Sequence, residues 1–339
     1  MVKIFIDGMG VLGRQLLKYV METNDVEVVG VNDPNITLDN LIYLLRNDTV
    51  YRCNVIVEKS EDSENKFNVN GKQVMFYQLD DNGFDSIDLN HMFGDVTVVD
   101  CTGKRTNAEQ CEVYFQTGAK GVVLGYTPTG NDIRISVPDI NNVLLDMNDK
   151  DTSIVSAGDA DLIALCHILN FLETYYGVDR VFTDIFQAYT NANNSMDSLN
   201  ANDFALGRAG AWNISPVKST SAKMVGKVIP QHNGKVVGSS FRAPVVMGGV
   251  QSIRTLLQKS VDLQSLLADL KIYCNTKTDR CLLESDPIVS SDAVGSPKVL
   301  IRTDTVELFD SETCSTTVLY DNIMLVVGSI IRILNDAKI

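Results

Sequence analysis

The sequence predicts an α/β protein in two parts: a parallel sheet covered by helices, then an α+β domain. Three observations support this. The first half alternates β-rich runs with helical ones, a glycine-patterned turn follows the first strand directly, and the alternation breaks near residue 157. With 339 residues, 45% hydrophobic, the chain is long enough for two ordinary cores.

In order, "VKIFID" reads as a strand starting straight from the N-terminus with no leader pattern, "GRQLLKYVMET" as a helix and "VEVVGVND" as a second strand. Residues 50 to 80 read as a hairpin region, because Asn70-Gly71 separates the alternating runs of "FNVNGKQVMFY". "VTVVDCT", "NAEQCEVYFQTGA" and "KGVVLGY" then repeat strand, helix, strand. From residue 157 come a helix ("DLIALCHILNFLETYYG"), a long strand ("DRVFTDIFQAYT"), a polar segment to about 215 and further β-rich runs. "DNIMLVVGSIIRILNDAKI" recovers helical periodicity. The expected boundaries are 1–156, completed by a C-terminal helix at 322–339, and 157–321.

Charge narrows the partners. The net charge of −14, from 29 basic and 43 acidic residues, repels phosphate backbones and anionic headgroups, so no nucleic-acid or membrane partner is expected. The longest apolar run, residues 323 to 331, is too short to span a bilayer. Seven cysteines without CxxC spacing suggest neither disulfide framework nor zinc site, and fit a reducing cytoplasm. Three distant histidines form no ligand pair, so no metal is expected.

"FIDGMGVLGRQLL" spaces Gly8, Gly10 and Gly13 as GxGxxG between strand and helix. The first glycine suits a tight turn, the second backbone approach to a pyrophosphate, the third close helix–strand packing. The amides of Val11 and Leu12 then point at the phosphates from the positive end of the helix. Asp33 ends the second strand, where a carboxylate accepts from both ribose hydroxyls and repels a 2′-phosphate, favouring NAD over NADP. A turn-forming role before Pro34 is the alternative. Together these predict a Rossmann-type domain.

From end to end the residues resemble the phosphorylating glyceraldehyde-3-phosphate dehydrogenase family. "IDGMGVLGR" is similar to that family's "INGFGRIGR"; "VNDP", "LIYLLRNDTVY", "DCTGKRT", "AYTNANN", "GRAGAWNISP", "AKMVGKVIPQHNGKVVGSSFRAP", "SSDAVGSP" and "YDN" follow in the same order. The resemblance implies a second domain of that family's C-terminal type, an interface loop at about 191–213 and a homotetramer. It also implies cofactor contacts from Thr102, Gly103 and Asn322, although the family's "EWGYS" after Asn322 is here "IMLVV".

The same resemblance implies a missing reaction. The family's cysteine in "SNASCTTN" corresponds to Ala160 in "SAGDADLI", and its histidine in "VHAYT" to Gln187 in "IFQAYT". An alanine methyl forms no hemithioacetal and an amide is no base. Cys166, on the apolar face with Leu162, Leu165 and Leu169, reads as packing, and Cys101 as structural. Asp159 and Asp161 flank Ala160 where the family uses hydroxyls to bind inorganic phosphate, and two carboxylates beside a dianion repel it unless Lys218 compensates. Helix capping is their plainer reading. An anion-binding remnant is expected at Thr190, Ser219, Thr220 and Arg242, with Ala192 and Leu206 replacing a charged pair.

Two functions stay open. One is an NAD-binding relative without that activity, acting as scaffold, sensor or partner of an unidentified protein. The other is a repurposed NAD-dependent oxidoreductase with Asp159 or Asp161 as base, against which stands the expectation that a helix N-terminus lowers a carboxylate's pKa.

Overall fold

The computed structural model describes every residue except 24, 25, 53, 54, 142, 202, 278 and 339. Cys53, one residue of the hairpin region at 50–80, therefore lies outside the described residues, as do position 202 of the 191–213 loop and the last residue of the C-terminal segment. The chain divides into two compact units, Met1–Gly158 with Val326–Ile339, and Asp159–Leu325.

The first unit is a Rossmann-type α/β domain. Its strands are β1 (Val2–Asp7), β2 (Val26–Asn32), β3 (Val57–Lys59), β4 (Lys66–Val69), β5 (Lys72–Tyr77), β6 (Val96–Asp100), β7 (Gly121–Leu124), β8 (Arg134–Ile135) and β9 (Ile154–Ser156). They form one nine-stranded sheet in the order β3-β4-β5-β2-β1-β6-β7-β9-β8. Helices α1 (Val11–Thr23), α2 (Leu38–Arg46), α3 (Leu89–Phe93) and α4 (Ala108–Gln116) lie between strands in the sequence. From β5 to β8 every pairing is parallel, which explains the near-continuous apolar runs: such strands are buried on both faces. The β3–β4 and β4–β5 pairings at the other edge are antiparallel. Asn70 (φ 50°) and Gly71 (φ 79°) both take the left-handed turn conformation that Asn-Gly favours.

Strand order reverses at β1: α1 leads to β2 on one side, and β6 pairs on the other. The carboxyl ends of β1 and β6 consequently frame a crevice, where open α/β sheets place their ligands.

The second unit is built around α5 (Ala160–Tyr175), with residues 160 to 169 all buried; a helix apolar on every side belongs inside. Its mixed sheet runs β11 (Ser215–Val217), β12 (Val236–Ala243), β10 (Val178–Ala188), β13 (Gly249–Leu257), β17 (Thr313–Tyr320), β15 (Val299–Arg302) and β14 (Cys281–Glu284), with β16 (Glu307–Leu308) on β17. Helices α6 (Ser221–Val228) and α7 (Leu263–Thr276) complete it. The outer face of β10 and β12 is partly apolar: Phe182 is exposed, and Phe186 stacks on Phe241 at 5.2 Å.

The final helix, α8 (Met324–Asn335), is shorter than the helical stretch read from the sequence. Ile330 packs near Gly125 of the first unit, and beyond the helix Lys338 exchanges backbone hydrogen bonds with Leu145 (2.9 Å) and Met147 (3.2 Å).

Candidate functional site

In the first unit the glycine turn has the geometry a dinucleotide needs. Gly8 takes φ 95°, and a Cβ there would lie 2.9 Å from the backbone of Cys101 and Thr102; only a bare backbone lets the turn after β1 touch the turn after β6. A Cβ on Gly13 would sit 2.0 Å from the Gly8 carbonyl oxygen, which fixes α1 close against the turn. Around Gly10 nothing lies within 4 Å of the corresponding position, leaving open space beside the backbone that a pyrophosphate would approach. Val11 opens α1, so its amide and that of Leu12 belong to the first turn.

Asp33 follows β2 and is half-buried. Its Oδ2 accepts from the Met9 amide at 3.0 Å and its Oδ1 from the Asn35 amide at 2.9 Å. It therefore ties the glycine turn to the β2 end, and two accepted bonds leave a carboxylate with lone pairs to spare. Thr102 donates its amide and its hydroxyl to Asp100, both at 2.7 Å, while Gly103 (φ 71°) opens the loop beyond. These residues fit a dinucleotide.

Beneath the crevice lies a polar cluster that the sequence reading missed. Asp7, Asp100 and Arg105 are buried; the Tyr114 hydroxyl lies 2.6 Å from Asp7 and 2.9 Å from Asp100, and Tyr126 donates to Asp100 at 3.1 Å. Arg105 approaches Asp7 (3.7 Å) and Asp100 (3.6 Å), pairs with Asp81 (2.8 Å) and stacks over the Tyr114 ring. Burial pushes the Asp7 carboxyl up to about 6.

In the second unit the N-terminus of α5 gathers the candidate residues of that half. Ala160 is buried at the first helical position. Asp159, half-buried, caps the helix by accepting from the Leu162 amide at 2.9 Å, and also accepts from the Ser221 hydroxyl of α6 at 3.0 Å. Capping is thus the observed role of Asp159. It is not that of Asp161, whose Oδ1 accepts from the Tyr320 hydroxyl at 2.6 Å in the interior. Burial and the neighbouring Asp159 push the Asp161 carboxyl up to about 7, outweighing the Tyr320 hydrogen bond and the Arg242 guanidinium, which pull it down. The expected lowering at a helix N-terminus is therefore overturned for Asp161, because burial dominates.

Gln187 lies across from Arg242 on β12 and Gly249 on β13. A Cβ on Gly249 would come within 2.5 Å of the Tyr320 ring, so that glycine makes room for the tyrosine that reaches Asp161. Arg242 donates to the Ala188 carbonyl at 3.1 Å. Thr190 and Ser219 are used locally, their hydroxyls accepting from Ala192 and Ala222; Thr220 precedes α6 without a side-chain cap bond. Asn322 accepts from the Gly248 amide at 2.9 Å. Lys218 and Ser219 line an open pocket of about 400 Å³ with Lys223, Ser239 and Ser240.

Among the described thiols only that of Cys101 is partly exposed. Cys166 is buried, as are Cys111, Cys274, Cys281 and Cys314. Burial pushes the thiols of Cys101 and Cys166 well up. There is no cluster of three metal-binding side chains among the described residues.

Residues 2–108 match the family signature described as glyceraldehyde 3-phosphate dehydrogenase, NAD binding domain, and residues 163–322 that of its C-terminal domain. The chain belongs to the glyceraldehyde-3-phosphate dehydrogenase family. It is 31% identical over 341 residues to the glyceraldehyde-3-phosphate dehydrogenases of Clostridium pasteurianum and Clostridium acetobutylicum, covering 98% of each chain. That of Lactobacillus delbrueckii subsp. bulgaricus is 30% identical over 330 residues, 95% of this chain and 94% of the relative. The similarity to these relatives extends over nearly the whole chain.

Proposed function

We propose that this member of the family binds NAD but no longer performs the thiol-dependent oxidation of glyceraldehyde 3-phosphate, serving as scaffold, sensor or partner protein. The observation that carries the reading is the start of α5: a buried methyl at Ala160 between two carboxyl groups, with Gln187 on β10 in place of a base. Aldehyde oxidation through a thioester needs a thiolate and a proton acceptor. Asp159, and Asp161 once ionised, further oppose a phosphate dianion.

NAD would be held by Gly8, Gly10, the Val11 and Leu12 amides, Gly13, Asp33, Thr102 and Gly103, and when bound it supplies a hydride acceptor. Asp33 supports NAD over NADP by repelling a 2′-phosphate. The loop at 191–213 exposes Met196, Leu199, Phe204 and Trp212, apolar surface that supports the reading of it as an interface in a homotetramer. Calorimetric titration with NAD and NADP, paired with a turnover assay on glyceraldehyde 3-phosphate, tests both parts: NAD binding without NADH formation is expected, and family-like turnover would overturn the reading.

One observation favours a second reading, a repurposed oxidoreductase. A carboxyl pushed up to about 7, as in Asp161, is matched to accepting and returning a proton near neutral pH. Asp159, more open to solvent, is the other candidate base. An uncharged or cationic alcohol suits this site, and turnover in a panel of such alcohols and aldehydes, lost in Asp161→Asn, is its test.

A further inference from the structure

We propose that the buried carboxyl of Asp7 takes up a proton through its contact with Tyr114, and that this proton strengthens dinucleotide binding at the turn that follows it. The inference rests on the dinucleotide reading and adds to it a regulation of that site.

Proton counting at Tyr114 carries the assignment. Its single hydroxyl hydrogen faces two carboxyl oxygens, Asp7 Oδ2 at 2.6 Å and Asp100 Oδ2 at 2.9 Å. Asp100 also accepts from the Thr102 amide, the Thr102 hydroxyl and Tyr126. Asp7 accepts at Oδ1 from Asn32 Nδ2 at 2.8 Å, but among the described residues its Oδ2 meets only Tyr114 and the more distant Arg105. Two carboxylates cannot both be satisfied by one hydrogen, and a bare oxygen pair at such separation repels. The arrangement closes if the Asp7 hydroxyl donates to Tyr114 and Tyr114 donates to Asp100. Burial, which pushes the Asp7 carboxyl up, agrees with this placement.

The groups facing Asp7 are few. Asp100 ends β6 and Cys101 follows it, Tyr114 comes from α4, Arg105 from the loop between, Asn32 from β2, and Asp81 acts through Arg105. Arg105 is the one guanidinium near Asp7, Asp81 and Asp100 among the described residues, so every ionisation beyond the first adds uncompensated negative charge. Asp7 immediately precedes Gly8, and its carbonyl accepts from the Cys101 amide at 2.7 Å, which joins the two turns of the crevice. A pyrophosphate there raises the proton affinity of Asp7, and by reciprocity the proton raises affinity for the pyrophosphate.

Calorimetry with NAD in two buffers of different ionisation enthalpy measures the linkage. Between pH 6 and pH 8, NAD affinity is expected to fall about fivefold with net proton uptake on binding at pH 7. Asp7→Asn should bind with neither uptake nor pH dependence. In ligand-free Asp161→Asn, which removes the other raised carboxyl, the infrared C=O stretch of a buried protonated carboxyl should be present at pH 5 and gone by pH 8, a readout independent of whether Asp7→Asn folds. Binding without proton uptake, or no such band at pH 5, overturns the inference. Absence of NAD binding at every pH instead overturns the dinucleotide reading, while the band still tests the proton on Asp7.

Discussion

Replacing Asp161 by asparagine should make the protein more stable at neutral pH than at acid pH relative to wild type. The folded carboxyl titrates at about 7 and the ordinary value is 3.8. Between those values the native state keeps a proton that the unfolded chain has released. The stability contributed by the neutral carboxyl is therefore complete below pH 3.8 and is lost as pH rises to about 7. Each pH unit in this window costs about 1.4 kcal/mol, so the interval from pH 5 to pH 7 costs about 3 kcal/mol. Asparagine retains an acceptor for the Tyr320 hydroxyl without the ionisation. Urea unfolding of both proteins at pH 5 and pH 7, followed by circular dichroism, should show the variant gaining about 3 kcal/mol on wild type between the two conditions. A difference that stays constant within about 1 kcal/mol would refute the reasoning and show that Asp161 does not hold its proton to neutral pH.

Other expected outcomes follow from the same geometry. Gly13→Ala drives a methyl into the Gly8 carbonyl and should cost about 3 kcal/mol in thermal or urea unfolding, with NAD affinity down at least tenfold in calorimetry. Ala160→Cys alone should give no NADH from glyceraldehyde 3-phosphate, and its thiol, beside Asp159 and Asp161, should be alkylated by iodoacetamide with an apparent pKa at or above the free value of about 8.5; one below 7 would contradict the electrostatics. Trp212→Ala combined with Phe204→Ala should reduce the oligomer mass measured by light scattering, whereas unchanged mass would exclude this loop from the interface. Asp33→Ala should narrow the preference for NAD over NADP in paired titrations to within about threefold.

What the sequence disclosed was local. The turn at Gly8, Gly10 and Gly13, the Asn70-Gly71 hairpin and the α5 register are each written within a dozen residues, because φ preference and apolar periodicity act over that range. The clusters were hidden for the opposite reason. Asp7 meets Tyr114 across 107 positions, and Asp161 meets Tyr320 across 159. Tyr320 stands in the "YDN" motif that directed attention to Asn322, and Gly249, which admits its ring, looks like any other loop glycine until β13 and β17 pair. The direction of the Asp161 shift also depended on burial. A helix N-terminus alone argues for a lowered value, and only the packed interior reverses it. Ser221 escaped notice because its hydroxyl serves Asp159 on another helix rather than its own.

The most direct test of the central claim is intact-protein mass spectrometry after incubation with glyceraldehyde 3-phosphate and NAD, with NADH absorbance recorded on the same sample. An unmodified mass and a flat absorbance trace are predicted, since a methyl group at Ala160 stands where the reading needs the nucleophile. A stable acyl adduct on any cysteine, accompanied by stoichiometric NADH, would contradict it.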